Sequence, residues 1–365
     1  MQVTHIEIYR LTIPMVPFVI ATETSYHAQN TFIRIHTDEG ITGMGECSAF
    51  PMLVGETQST CFEIAKDLAR ICKNKNPLAI EERLEEFHGY IAFNSTIKSA
   101  FDIAFHDIAA KAKRIPLYKF LGGTKKIIQS DLTIGIGAPQ KMAETAKEFI
   151  SNGVKIIKIK LGKNCREDVE RVKLIREAVG DTIQLRIDAN QGWSFEDAVY
   201  ALQHIRPYNV QFCEQPMRRW NDERLPELRK LSPIKIMADE SVFDHHDALR
   251  LIKAGACDYI NIKLAKSGGL LEARKIADTA QQYNVPCMIG GMLESRLALT
   301  AKVHFAMRHD NVVFYDLDTC LLGHKIDPVT GGAHYNNYFL EIPDEPGIAA
   351  DIDEGFLQQC EKVEI

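Results

Sequence analysis

"VKIIKIKLG", residues 154–162, is an apolar, isoleucine-rich run closed by a glycine, the pattern of a buried β-strand. It nonetheless carries Lys158 and Lys160, and side chains two apart on a strand point to the same face. Burying an ammonium without a partner costs several kcal/mol. The pair is therefore either solvated at an edge or held against something negative. The rest of the chain bears on that choice.

Downstream the same unit recurs. From Asp131 onward, short apolar strands alternate with amphipathic helical stretches at a repeat of roughly 25 residues. The predicted strands are "LTIGI", "KIIKIKLG", "QLRIDAN", "VQFCEQP", "IKIMADES", "YINIKLAKSGG", "VPCMIGGMLES" and "VVFYDLD". Stretches such as "REDVERVKLIREAVG" and "SFEDAVYALQHIR" supply the helices between them. Eight parallel strands with intervening helices predict a closed barrel and not an open doubly wound sheet. No G-x-G-x-x-G follows any of them, which argues against a dinucleotide-binding fold. Upstream, "THIEIYRLTIP", "TFIRIHTDEG" and "GMGEC" read as an antiparallel meander turning at Asp38-Glu39-Gly40. Residues 57 to 121 then read as helical, with Ile97, Ala100, Phe101, Ala104, Phe105 and Ile108 at helical spacing and a stop at Gly122-Gly123.

Composition excludes several classes. The 365 residues are 45% hydrophobic and 25% charged, the balance of a soluble globular chain. A net charge of -6 gives no electrostatic basis for binding nucleic acid or an anionic membrane. No apolar run approaches the ~20 residues of a transmembrane helix. The start, "MQVTHIEIYRLTIP", lacks the parts of a signal peptide and reads as a first strand. Nine cysteines, scattered singly with no C-x-x-C pair, suggest free thiols in a reducing cytoplasm.

In a barrel of this kind chemistry sits at the C-terminal ends of the strands, above an interior filled by aliphatic side chains. The third barrel strand ends in Asp188-Ala189-Asn190, the fourth in Glu214-Gln215-Pro216 and the fifth in Asp239-Glu240-Ser241. Each acid read singly is equally well a helix N-cap. Three at successive strand ends would repel one another unless a cation sat among them, and oxygen ligands with open positions suit Mg²⁺. Lys158 and Lys160 end the second strand and Lys263 the sixth, across the barrel, with the acids between. Lys263 or Lys266 alone could be an ordinary solvated loop lysine; with the acids, the arrangement suggests a proton-transfer pair. Lys158 beside Lys160 is expected to lower the pKa of the base. Asp316 and Asp318, in "FYDLDTC" on the eighth strand, share a face and would suit a cationic group such as a substrate ammonium, or else a capping or turn role.

The ordered motifs K-x-K, D-A-N, E-Q-P, A-D-E-S and K-x-x-K-S-G-G, with "AFDIAFHDIAAKAKRIPLYKFLGG" before them, resemble the enolase superfamily over essentially the whole length. The likeness is to the muconate-lactonising-enzyme subgroup and, within it, to dipeptide epimerases of the L-Ala-D/L-Glu epimerase type. The resemblance implies an α/β fold: a modified (β/α)8 barrel of (β/α)7β type over residues 126–322. An α+β capping domain, 1–125, carries the specificity loops and is completed by a returning segment, 323–365. It further implies Asp188, Glu214 and Asp239 as Mg²⁺ ligands, Lys160 and Lys263 as the two acid/base catalysts, and Lys158 as an auxiliary lysine. The implied reaction is a 1,1-proton transfer through an enediolate. Asp316 and Asp318 would hold the α-ammonium of a dipeptide, and Glu294 would lie near the substrate or bond a lysine behind it.

Two loops of the capping domain, about Phe18 to Gln29 and Phe50 to Thr57, would close over the site. L-Ala-D/L-Glu epimerases carry an arginine in the first loop, and the matching position here is Glu23. Phe18, Ile20, Phe50 and Met52 instead suggest an apolar pocket, hence hydrophobic dipeptides, with cationic dipeptides paired to Glu23 as the second reading. A muconate cycloisomerase, an o-succinylbenzoate synthase, an N-acylamino-acid racemase or a non-catalytic barrel are the competing identities. The resemblance implies a cytoplasmic homo-oligomer acting on a small molecule, with no nucleic acid or membrane partner.

Overall fold

The computed structural model describes residues 1–365. Its first three strands, β1 (Val3–Val19), β2 (Thr24–Thr37) and β3 (Thr42–Ser48), make an antiparallel sheet whose β1–β2 ribbon is long enough to reach beyond its own core. The Asp38–Gly40 turn is closed by Thr37, whose hydroxyl donates to Ile41 O at 2.8 Å. Helices α1 (Pro51–Val54), α2 (Gln58–Cys72), α3 (Ile80–Tyr90), α4 (Ser95–Ala112) and α5 (Leu117–Phe120) follow.

Helix α4 is buried from Thr96 to Ala110 because it has cover on two sides, the sheet on one and the second domain on the other. It lies directly on β3: a Cβ on Gly45 would stand 1.8 Å from Ala100 O, so only glycine permits that approach. Asp107 on α4 accepts from Met44 N at 3.0 Å and from Ile348 N at 2.7 Å, tying the sheet and the C-terminal segment to one carboxylate.

All eight strands expected from the repeat are present: β4 (Leu132–Ile134), β5 (Ile156–Lys160), β6 (Gln184–Asp188), β7 (Val210–Glu214), β8 (Ile236–Ala238), β9 (Tyr259–Ile262), β10 (Cys287–Gly290) and β11 (Val312–Asp316). They pair in parallel in chain order, and Asp131 N donates to Tyr315 O at 3.2 Å where the first strand meets the last. The main helices outside this barrel are α6 (Pro139–Ser151), α7 (Cys165–Val179), α8 (Phe195–Ile205), α9 (Leu225–Leu231), α10 (His245–Ala254), α11 (Leu264–Ser267), α12 (Leu270–Gln282) and α13 (Arg296–Ala306).

The barrel floor departs from the aliphatic filling expected. Phe212, Met237, Met288 and Phe314 fill it with Tyr259, the Phe212–Phe314 centroids lying 5.2 Å apart. Arg186 lies over both rings, 5.4 and 5.2 Å from their centroids.

The two domains are joined by buried carboxylates as well as by apolar contact. Glu46 of β3 accepts from Ser295 N at 2.8 Å and Ala298 N at 3.1 Å, so it caps the N-terminus of α13, and Asn30 of β2 donates to it at 2.7 Å. The chain then returns: Lys362–Glu364 pairs antiparallel with β1, Ile8 opposite Val363. No helix is long and apolar enough to cross a membrane. All nine cysteines are free.

Candidate active site

Asp188 and Glu214 are the last residues of β6 and β7, and Asp239 directly follows β8. All three are fully buried. The chain bends sharply just beyond the first two: Asn190, Gln191 and Gln215 take left-handed φ values of 39°, 66° and 32°. That bend turns Gln215 to donate to Ser241 Oγ at 2.8 Å and to accept from Asp239 N at 2.9 Å, which sets the fifth strand end against the fourth.

Lysines reach these acids from both sides. Lys160 Nζ donates to Asp188 Oδ2 at 2.6 Å, and across the barrel Lys263 Nζ lies 2.8 Å from Asp239 Oδ2. Lys266, expected as an exposed loop residue if read alone, is 1% exposed and donates to Asp239 Oδ1 at 2.7 Å. Lys158 lies between, 2.7 Å from Glu214 Oε2, 2.7 Å from Asp316 Oδ2 and 3.2 Å from Asp188 Oδ2. The strand therefore holds its two ammonium groups against negative charge and not at a solvated edge. Burial pulls the pKa of Lys158 down, but Asp316, Glu214 and Asp188 outweigh it and hold it well above the ordinary lysine value.

The acids outnumber the cations. At the three strand ends Asp188, Glu214, Asp239 and Glu240 face Lys160, Lys263 and Lys266, with Lys158 shared between Glu214, Asp188 and Asp316. Burial first and neighbouring carboxylates second push Glu214 up to about 8 and Glu240 up to about 7. Glu214 Oε2 and Asp239 Oδ2 lie within ion-pair distance of Lys158 and Lys263 yet accept no hydrogen bond, and Glu240 Oε2 has no partner of either kind. An all-oxygen donor set with more carboxylates than lysines and an unpartnered Glu240 oxygen fits a divalent cation such as Mg²⁺.

Above these residues is a cavity, open to solvent. Lys160, Lys263, Asp316 and Asp318 form its polar floor. Asp318 accepts from Thr133 N at 2.6 Å and makes no ion pair. Phe18, Ile20, Phe50, Met52 and Leu53 come in from the capping domain, facing Met292 and Leu293 of the barrel. The β1–β2 tip is pinned there by Ile136 N, which donates to Val19 O at 2.9 Å.

Glu23, expected at the substrate, lies elsewhere, and Glu294 takes the second of its two expected places, on a lysine. Glu23 accepts from Ser25 Oγ at 2.8 Å and does not line the cavity, where Thr22 stands instead. Glu294 is buried against Lys302 behind the wall formed by Met292 and Leu293. Others were not singled out from the sequence. Asn190, Glu240, Thr133, Thr319 and Leu322 line the cavity, and Asn261 donates to Glu214 Oε1 at 2.7 Å. Asn190 and Glu240 carried a signal, their places beside Asp188 and Asp239 at strand ends. Trp193 is buried and donates to Asp168 at 2.9 Å, a packing role, and His245 starts α10 against Glu272.

A capped parallel barrel whose titratable groups gather at the strand ends is an enzyme architecture. Residues 4–122 match the family described as mandelate racemase / muconate lactonizing enzyme, N-terminal domain, and residues 141–356 match enolase C-terminal domain-like. The chain belongs to the enolase superfamily, and it is an isomerase of the racemase and epimerase kind acting on amino-acid derivatives. It is 43% identical to a D-Ala-D/L-Ala epimerase of Cytophaga hutchinsonii, over 100% of this chain and 99% of that one. It is 40% identical to a hydrophobic dipeptide epimerase of Enterococcus faecalis, over 91% and 94% of the two chains. Among solved structures, the Cytophaga hutchinsonii dipeptide epimerase complexed with Mg and D-Ala-L-Val superposes with a TM-score of 0.99 at 43% identity, covering 100% of both chains.

Proposed function

We propose that this chain is a Mg²⁺-dependent dipeptide epimerase that inverts the α-carbon next to the substrate carboxylate and prefers hydrophobic dipeptides. The observation that carries the reading is the placement of Lys160 and Lys263. They are 8% and 4% exposed, come from strands on opposite sides of the barrel and line one cavity. A planar carbon held between them is open to proton transfer at either face. One lysine, as the free amine, removes the α-proton and leaves an enediolate; the other, as the ammonium, delivers a proton to the opposite face. Which lysine acts first depends on the incoming stereoisomer.

Asp188, Glu214 and Asp239 would hold the Mg²⁺, which supplies positive charge for the carboxylate as the α-proton leaves. Lys158 keeps Glu214, Asp188 and Asp316 in register from below. Asp318, buried and without an ion pair, is the group left to receive the substrate α-ammonium, with Asp316 beside it. An amine-free substrate would leave that carboxylate unmatched, which disfavours the cycloisomerase and synthase readings. The wall of Phe18, Ile20, Phe50 and Met52 favours apolar side chains, and Glu23, outside the cavity, gives a cationic side chain no partner there. Closing of the two loops would keep water from the carbanion.

Pools of L-Ala-L-Xaa dipeptides incubated with enzyme and Mg²⁺ in D₂O, read by mass spectrometry, test the proposal. Deuterium uptake concentrated in apolar dipeptides is the expected result. Uptake by none, or only by N-acylated substrates, overturns it.

A further inference from the structure

The barrel holds a third acid beside Asp316 and Asp318 that the mechanism above does not use. Asp131, fully buried, brings a carboxylate oxygen within 4.8 Å of oxygens from both. It lies one inward position below Thr133, whose amide donates to Asp318. Its Oδ2 accepts from Arg186 Nη1 at 2.8 Å, and its Oδ1 has no partner. Arg186 is itself held fast, donating to Gln211 Oε1 at 2.9 Å and Tyr315 O at 3.2 Å above the aromatic floor. Of the three carboxylates, Asp131 has Arg186, and Asp316 has Lys158, which it shares with Glu214 and Asp188. Asp318 has no cation, and it lines the cavity beside Asp316. Burial and the neighbouring carboxylates push Asp131 up to about 7 and hold Asp318 well above the ordinary aspartate value, the signature of a corner short of positive charge.

We propose that Asp131 is a positioning residue for the substrate α-ammonium: by taking up the Arg186 charge behind Asp316 and Asp318, it keeps this corner in surplus of negative charge, which the ammonium meets. The inference rests on Asp316 and Asp318 being the ammonium site. Without the Asp131 charge, Arg186 would be left to offset Asp316 and Asp318, and an incoming cation would meet a smaller surplus.

The test is binding of L-Ala-L-Leu and of N-acetyl-L-Ala-L-Leu, measured calorimetrically with Mg²⁺ on the full chain, with kcat and KM beside it. Asp131→Asn is expected to weaken the free dipeptide about 10-fold, raise KM with kcat nearly unchanged, and leave the acetylated ligand unaffected. Asp131→Asn/Arg186→Gln removes both members of the pair, restores the surplus, and is expected to bind the free dipeptide within about threefold of wild type. A purely structural role would make the double variant worse than the single one. Equal weakening of both ligands, no weakening, or no recovery in the double variant overturns the proposal. Should Asp131→Asn melt below the assay temperature, the double variant decides alone, since a selective loss there contradicts the charge account. Asp318→Asn is the control: if it fails to discriminate between the ligands, the ammonium reading itself falls, separately from the role of Asp131.

Discussion

Asn261 passes through space that only a glycine at 290 leaves open: a Cβ on Gly290 would stand 2.5 Å from Asn261 Oδ1 and 2.6 Å from Nδ2. From there Asn261 holds Glu214 Oε1 at 2.7 Å. Gly290→Ala is expected to displace the amide and release Glu214. Groups behind metal ligands typically cost about 10–100-fold in metal affinity when lost. Titration of activity with Mg²⁺ should show a shift of that order, with kcat recovering at saturating metal. An unchanged Mg²⁺ dependence would separate Asn261 from the metal site.

Lys160→Ala and Lys263→Ala are each expected to abolish epimerisation. In each variant the remaining lysine is reached by one stereoisomer only, so α-proton exchange with D₂O should survive for a single isomer and differ between the two variants. NMR of the α-proton, run with each isomer in turn, checks this. Full epimerase activity in either variant contradicts a two-lysine mechanism.

The barrel was legible because its strands are apolar runs that each end abruptly in polar residues, as in "QLRIDAN" and "IKIMADES", and the repeat places those ends at one face. What joins the ends was not legible. Asp131, Arg186 and Asn261 matter through cross-strand register, and a single strand gives no sign of which neighbour its polar residue will meet. "KNCREDVERVK" reads as a solvated helix face, yet Asp168 and Arg171 within it are buried, because Asp168 takes bonds from Gly162 N at 2.9 Å and from Trp193. Glu23 was placed at the substrate by loop alignment, where a shift of one residue exchanges it for Thr22.

The apolar wall should act on side-chain size. Ile20, 6% exposed at the cavity, is expected on truncation to Ala to lower kcat/KM for L-Ala-L-Leu on the order of 10-fold while changing L-Ala-L-Ala little. Steady-state kinetics on the two dipeptides decide it. Equal losses on both would assign Ile20 to loop integrity and not to selection.

Acid stability should depend on the seam between β1 and the returning C-terminal strand. Burial works against the Glu7 carboxylate, but Lys362, His36 and Arg34 more than offset it and bring its pKa down to about 2. A carboxylate lowered on folding contributes stability that is complete above the unfolded value, about 4.3, and is lost as pH falls towards 2. Glu7→Gln should therefore lower the melting temperature at pH 6 to 7, with the difference from wild type shrinking below pH 4. A difference that stays constant down to pH 2.5 would mean that the carboxylate charge is not what holds the seam.

Inversion of the dipeptide α-carbon by two lysines on opposite faces leaves an isotopic record. Incubating wild-type enzyme and Mg²⁺ with L-Ala-L-Leu in D₂O and following the reaction by NMR at early times tests it most directly. The account requires L-Ala-D-Leu carrying deuterium at the inverted carbon from the first turnover, delivered by the lysine opposite the one that took the proton. Inversion with the original proton retained, or no change at that carbon, would contradict it.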